Sequence, residues 1–248
     1  NFVEDGDEAK KIFVVPVTIN YNFVLEAQSL IDQHLKISGQ AQYFVENDDF
    51  STSSKMLRFI YKFFTASSEM AVRFGTPMDL FGNRVDEEGN SFDPHGNEVD
   101  IKKYFYSNGE ISKDMQRDAE YTRMLGDKIV ERYHCEAVVF SSQILAFAAF
   151  RIIKSRYSKM DLYGLMRLPS DELIIKPKEL MDRVDKLVMR LREMHANGEI
   201  QLEKEILEGS LSAIIKKGIA NLGVYHNKLP LMYNADGDFE SQDITILY

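Results

Sequence analysis

The apolar positions of this chain recur with two different spacings, and the change from one to the other divides it. Residues 1–11 are polar and acidic and read as a loop. Residues 12–19, Ile-Phe-Val-Val-Pro-Val-Thr-Ile, are a short β-branched apolar run. Such a run predicts a strand buried on both faces of a parallel sheet. Pro16 removes one ladder donor and belongs at an edge, a bulge or a strand end. Alternation along the strand puts Val15 and Val17 on one face and Val14, Pro16 and Thr18 on the other, with one face expected to pack on helices. Val24, Leu25, Ala27, Leu30, Ile31 and Leu35 then line one face of a predicted helix over 22–37. A polar loop over 38–54, a short helix over 55–64 and a strand over 71–74 follow, the last ended by Gly75 and Pro77.

Beyond residue 110 the spacing is helical. Tyr121, Leu125, Ile129 and Tyr133 recur every four residues, on a helix that Ser112 would cap. Residues 138–140 read as a short strand or as the lead-in to a helix over 143–157. Leu180, Val184, Leu187, Val188, Leu191 and Met194 form a stripe over 177–196 that Asn197-Gly198 ends. The stripe suits core packing or a partner helix in a dimer. Ser210 is placed to cap a further helix reaching Leu222, and residues 244–248 read as a last strand. The expected fold is α/β: closing strands of a mixed sheet, followed by a mainly helical C-terminal segment. The expected division is 1–110, with a turn-rich acidic insertion at 79–100, and 111–248.

The insertion is a repeat. Asp79-Leu-Phe-Gly-Asn-Arg-Val, Asp86-Glu-Glu-Gly-Asn-Ser-Phe and Asp93-Pro-His-Gly-Asn-Glu-Val share the pattern D-x-x-G-N-x-[V/F], and Asp100 starts a fourth copy. Gly-Asn tolerates positive φ, so successive tight turns between very short strands are predicted. The acidic side chains and turn carbonyls offer oxygens to calcium, but neither a twelve-residue calcium loop nor a Gly-Gly-x-Gly-x-Asp repeat is present. Solvated hairpins are the expected outcome.

The chain has 30 basic and 39 acidic residues and a net charge of −9, which argues against nucleic-acid binding. Its one cysteine, Cys135, allows no intrachain disulfide and fits a reducing compartment. No apolar run reaches the roughly 18 residues of a membrane span. The chain opens at Asn1 without a signal peptide, which reads as a fragment or a processed product.

Several segments carry a resemblance. Val14-Val15-Pro16-Val17-Thr18-Ile19 is similar to the fourth sequence block of the glycerolipid acyltransferases, an apolar strand with a central proline. Tyr21, Val24, Leu25 and Glu26 continue the pattern of glycerol-3-phosphate acyltransferases, and Val72-Arg73-Phe74-Gly75-Thr76-Pro77-Met78 resembles a later strand of that family. A bacterial subgroup is resembled over 79–100, 109–129, 138–150, 161–169 and 218–226, and near the last residues. The resemblance implies transfer of a fatty acyl chain from acyl-CoA or acyl-carrier protein to the sn-1 hydroxyl of glycerol-3-phosphate, giving lysophosphatidic acid, with no cofactor. It implies that Val15, Pro16, Val17 and Ile19 wall the acyl-substrate site. It also implies a cytoplasmic protein, peripheral at the inner face of the membrane. The family's His-x4-Asp base and its phosphate-binding block lie before the Val-Pro-Val strand. Neither is in this chain, so the chain alone is expected to be inactive. A lysophospholipid acyltransferase is the alternative within the class. A non-catalytic module that docks on a membrane or a partner is the alternative outside it.

Other constellations are weaker. His95 and Asp100 have the His-x4-Asp spacing, but His95 falls in the third turn repeat and reads as an exposed turn residue. His134 and Cys135 are helix neighbours pointing about 100° apart, which disfavours pairing. Ser141-Ser142 lacks a Gly-x-Ser-x-Gly frame and reads as a helix cap. His34, His95, His134, His195 and His226 show no metal-ligand spacing. Ile144, Leu145, Phe147, Ala148, Phe150, Ile152 and Ile153, followed by Arg151, Lys154, Arg156 and Lys159, suit either a buried core helix or peripheral membrane contact through residues 144–159.

Overall fold

The computed structural model describes residues 11–22, 30, 33, 34, 37, 69–107, 110, 111, 113–223, 229–242 and 244–247. The helix expected over 55–64, the loop expected over 38–54 and all but Lys11 of the loop expected over 1–11 lie outside these residues. So does most of the helix expected over 22–37, of which 30, 33, 34 and 37 are helical. The fold is α/β with a helical C-terminal region. Among the described residues the strands form five small two- and three-stranded sheets, one of them parallel. Chain contacts define two units that divide elsewhere than at residue 110: Asn1–Ile19 with Val72–Ala137, and Asn20–Ala71 with Val138–Tyr248.

The N-terminal apolar run continues into strand β1 (Val17–Tyr21), which pairs with β2 (Met70–Phe74) in a two-stranded ribbon; Val17–Ile19 and Val72–Phe74 of it belong to the first unit. The turn repeats follow as a meander of β3 (Arg84–Val85), β4 (Ser91–Phe92) and β5 (Glu98–Val99). The cause of each turn lies in the repeat. The Asp93 carboxylate accepts hydrogen bonds from His95 N (2.8 Å), Asn97 N (2.9 Å) and Asn97 Nδ2 (3.0 Å), while Asp93 N donates to Asn97 O. Asp79 and Asp86 hold their own asparagines, Asn83 and Asn90, in the same way. Bonds from the Asn97 side chain and backbone hold the Asp93 carboxyl below its ordinary value of 3.8, and the backbone N–H of Asn90 does the same for Asp86. The intervening glycine has positive φ in every copy, +83° at Gly96. A Cβ on Gly96 would meet nothing within 4 Å. Gly96→Ala should therefore cost only the left-handed backbone penalty, about 1 kcal/mol in a denaturant titration. Gly89→Ala should cost more, because its Cβ would lie 3.0 Å from Phe13 Cζ.

Asp100 does not open a fourth turn. No glycine stands three residues on, and its carboxylate instead caps a 3₁₀ turn, Ile101–Phe105, by accepting from Lys102 N. Strands β6 (Tyr106–Ser107) and β7 (Glu110–Ile111) pair next. Helix α1 (Met115–Glu136) starts at Asp114, which caps Gln116 N and Arg117 N; Ser112 lies outside the described residues. The expected stripe holds at three of its four positions: Tyr121, Leu125 and Ile129 are half-buried between exposed neighbours, while Tyr133 is exposed. Tyr121 packs edge-on against Phe81 at 5.0 Å and Tyr104 at 5.7 Å, with Phe81 stacked on Tyr104 at 4.3 Å. This aromatic cluster ties α1 to the turn repeats and makes the long helix part of the first unit.

The second unit is built around α2 (Ser141–Arg156), preceded by β8 (Val138–Val139), so residues 138–140 are both strand and lead-in. Ala148, Ala149, Ile152 and Ile153 are fully buried, against α4 (Pro177–Ala196) and α6 (Leu211–Asn221). The residues offered for membrane contact, Ile144, Leu145, Ile152 and Ile153, are thus core, and the packing alternative for this helix holds. Phe147 is its exposed aromatic, with Arg151 over the ring. Helix α4 matches the predicted 177–196 with Leu180, Val184 and Val188 in the core, and ends at Asn197 and Gly198 (φ +75°). Ser210 Oγ accepts from Ala213 N and starts α6, which ends at Leu222.

Between these lie α3 (Leu162–Met166), a 3₁₀ turn (Ser170–Leu173), β9 (Ile174–Ile175), β10 (Gln201–Leu202) and α5 (Lys204–Glu208). β10 pairs parallel with β8, and β11 (Met232–Tyr233) and β12 (Phe239–Glu240) pair antiparallel beside β9. The strand expected at 244–248 is a 3₁₀ turn, Ile244–Leu247. Ile244 and Leu247 are both buried, three residues apart, which matches a three-residue turn and not an alternating strand. Among the described residues, no helix is long and apolar enough to cross a membrane.

Candidate functional site

The Val-Pro-Val segment differs from the buried parallel strand expected of it. Val14 exchanges backbone hydrogen bonds with Met78 (2.8 and 2.9 Å), and Gly75 N donates to Pro16 O at 2.8 Å. The Val14–Met78 bridge is antiparallel, and the bonds from Gly75 N to Pro16 O and from Asn22 N to Glu69 O, taken as ladder bonds, set Val17 opposite Phe74 and Ile19 opposite Val72. Pro16 stands just before β1, at the strand end where its missing N–H costs no ladder bond.

The predicted alternation is present, but only one of its two faces is covered. Val15, Val17 and Ile19 are exposed, as are Val72 and Phe74, the last at 73%. Pro16 is buried on the opposite face, and Val14 and Thr18 beside it are half-buried. That inner face is anchored by polar bonds to the last turn of α1. Thr18 Oγ1 donates to Glu136 O at 3.0 Å, and Arg73 Nε pairs with Glu136 Oε2 at 3.0 Å. Gly75 keeps the ribbon close, since a Cβ there would lie 3.3 Å from both Glu136 Cγ and Pro16 O. One face therefore packs on a helix as expected, while the expectation of a strand buried on both faces is corrected. A two-stranded ribbon has two faces, small and polar groups hold one of them against α1, and the branched and aromatic side chains take the other.

Of the four expected site residues, Val15, Val17 and Ile19 share the exposed apolar face. Pro16 does not, and can influence that face only through the backbone it fixes. Val72 and Phe74 complete the face. Their alternation in Met70-Ala71-Val72-Arg73-Phe74 was the available signal, although the site expectation did not include them. The five side chains carry no acid, base or nucleophile. The face can bind an apolar chain by burial, and it cannot move a proton.

The other candidates are dispersed. His95 is an exposed turn residue whose backbone N–H serves Asp93, and the Asp100 carboxylate accepts from Lys102 N, so the His95–Asp100 spacing builds no dyad. Ser141 and Ser142 occupy the first two positions of α2, after the cap residue Phe140, and are buried. Ser142 Oγ donates to Asn22 O at 2.8 Å. Ser141 gives both its N–H (2.6 Å) and its hydroxyl to Glu203 Oε1, whose other oxygen forms an ion pair with Lys217 Nζ at 3.0 Å. Lys217 also pairs with Glu69 at 2.9 Å. Burial lowers the Lys217 pKa, but the two carboxylates outweigh it and leave it above the ordinary 10.5. Ser141 is 1% exposed, which gives this centre a structural role in the second unit. Among the described residues, no group of three or more His, Cys, Asp and Glu side chains could hold a metal ion. No family model, no curated protein and no solved structure matches this chain.

Proposed function

We propose that this chain is the part of a glycerol-3-phosphate acyltransferase that offers an apolar wall to the fatty acyl chain. In the parent reaction the sn-1 hydroxyl oxygen attacks the thioester carbonyl of acyl-CoA or acyl-carrier protein. A C–O bond forms, the C–S bond breaks, and the thiol leaves. A histidine base takes the hydroxyl proton, and a carboxylate orients that histidine. The residues for these steps lie in the family's earlier blocks. The wall is the contribution assigned to the Val-Pro-Val strand.

One observation carries the reading: Val15, Val17, Ile19, Val72 and Phe74 form a continuous uncharged face open to solvent. A methylene chain laid on it would gain about 25 cal/mol for each Å² of apolar surface removed from water. The test uses a palmitoyl-CoA analogue with a photoreactive diazirine in its acyl chain, with labelled peptides mapped by mass spectrometry. Labelling is expected around Val17 and Phe74. Val17→Asp should reduce it about tenfold while changing stability by about 0.5 kcal/mol or less, as surface substitutions do. Glycerol-3-phosphate and palmitoyl-CoA should remain unreacted with this chain alone. Labelling that ignores Val17→Asp, or acyl transfer by the chain itself, would remove the reading.

A further inference from the structure

The first unit holds a cavity of about 340 Å³ between the turn repeats and α1, well away in chemistry from the uncharged ribbon face. Its size falls within the range of small-molecule sites, roughly 300–1,000 Å³. Phe81, Tyr104 and Tyr121 line one part of it, and all three are half-buried, so their rings remain available to a ligand. Met78, 3% exposed, is also among its lining residues and belongs to the core. The wall is therefore apolar and aromatic, of the kind that accepts a flat ring.

The charged groups around it are unevenly matched. Arg84, Lys128 and Arg132 line the cavity, with Asp93 and Glu131 as the carboxylates. Both carboxylates are already engaged. Glu131 pairs with Lys128 at 2.8 Å, and that pairing holds its carboxyl below its ordinary value. The oxygens of Asp93 accept the three hydrogen bonds that close its own turn. Arg84 comes from β3 and Arg132 from α1, and among the described residues neither guanidinium makes a hydrogen bond or an ion pair. Two guanidiniums from separate elements thus face one aromatic cavity in a chain whose net charge is −9. Planar guanidinium forks suit phosphate oxygens, and aromatic walls suit a heterocycle.

We propose that this cavity binds a phosphorylated heteroaromatic compound of nucleoside-monophosphate size. The ring lies against Phe81, Tyr104 and Tyr121, and the phosphate is held by Arg84 and Arg132. This assignment is independent of the acyl-chain reading, because it uses other residues and another ligand chemistry.

The test is calorimetric titration of the chain with AMP, adenosine and inorganic phosphate at low salt. AMP should bind with a Kd of about 100 μM or tighter, and adenosine and phosphate about tenfold more weakly or worse, since each satisfies one half of the site. Arg84→Gln/Arg132→Gln should weaken AMP about tenfold or more while adenosine is unchanged. Both positions are outside the buried core, and a thermal melt verifies that the variant folds. AMP binding should also fall steeply as salt rises. No heat from AMP at 1 mM overturns the proposal. So does inorganic phosphate binding as tightly as AMP, or AMP affinity that survives the double substitution. If the double variant fails to fold, Arg84→Gln alone, on an exposed strand residue, must weaken AMP or the proposal falls.

Discussion

Glu203→Ala is expected to cost about 3 kcal/mol or more of folding stability, the size typical of removing one member of a buried ion pair. Glu203 sits 62 residues from Ser141 and joins the start of α2 to α6 through its two oxygens. Its loss leaves the buried Ser141 N–H and hydroxyl without an acceptor and deprives Lys217 of its more buried partner. Glu203→Gln keeps an acceptor for Ser141 and should lose clearly less. Denaturant titration of the three proteins makes the comparison. The sign of the pH dependence follows from Lys217. Its folded pKa lies above the unfolded 10.5, so the pair's contribution is fully present below about pH 10.5 and is lost as pH rises through the folded value. The alkaline fall in stability should therefore be shallower in Glu203→Ala. A loss below 1 kcal/mol, with an unchanged alkaline limb, would reduce the centre to a surface pair.

Gly218→Val should destabilise by about 3 kcal/mol, at the upper end of overpacking costs. Gly218 lies in α6 where it crosses α2, and even a Cβ there would stand 2.9 Å from Ser141 O and 3.2 Å from Leu145 Cβ and Cδ2. The nearest atom is backbone, which cannot rotate aside, so the helices must separate. Gly218→Ala is the instructive companion. It gains about 1 kcal/mol of helix propensity and suffers the Cβ contacts without those of the two further methyl groups, so its net change should be smaller. Thermal melts of both proteins decide the matter. A Val variant as stable as the parent would mean that α2 and α6 have room to part.

The amphipathic helices were legible in the sequence because their cause is local. Helix α4 was readable from Leu180, Val184 and Val188 at helical spacing, with Pro177 at its start and Asn197-Gly198 at its end. Helix α6 announced itself through Ser210. The three Asp-x-x-Gly-Asn turns were readable for the same reason, since each is closed by bonds within five residues. A relative of these turns went unseen. Asn234 accepts from Asp236 N and Asp238 N, and Gly237 has φ +80°. Here Asn and Asp have exchanged places, which hides the pattern while keeping the geometry.

What failed to show was everything that depends on distant neighbours. A β-branched run such as 12–19 declares a strand, but which face is covered depends on Glu136, more than a hundred residues away. The apolar face was thus predicted to be inside and lies outside. Glu203 and Lys217 carry no local signature, since their partners are remote in sequence. The cavity, lined by turn residues, by Arg84 and Phe92 from two short strands and by five positions on α1, corresponds to no spacing at all. Of the expected site residues, Val15, Val17 and Ile19 share a face, and Pro16 points the other way.

The turn repeats also bear on the order in which the chain acquires its structure. Each Asp-to-Asn closure spans four residues, so the loop entropy to be overcome is small and hairpins of this kind form in about 1–10 μs. The parallel pairing of Val138 with Gln201 requires a separation of more than sixty residues to close first. The meander and the aromatic cluster on α1 are therefore suited to form early, while the second unit is still searching for its long-range partners. On that timetable the most acidic stretch of the chain is also its earliest rigid part. A charged, hydrogen-bonded meander would then be present while the apolar residues of α2 are still uncovered, adding local repulsion to keep incompletely folded chains apart.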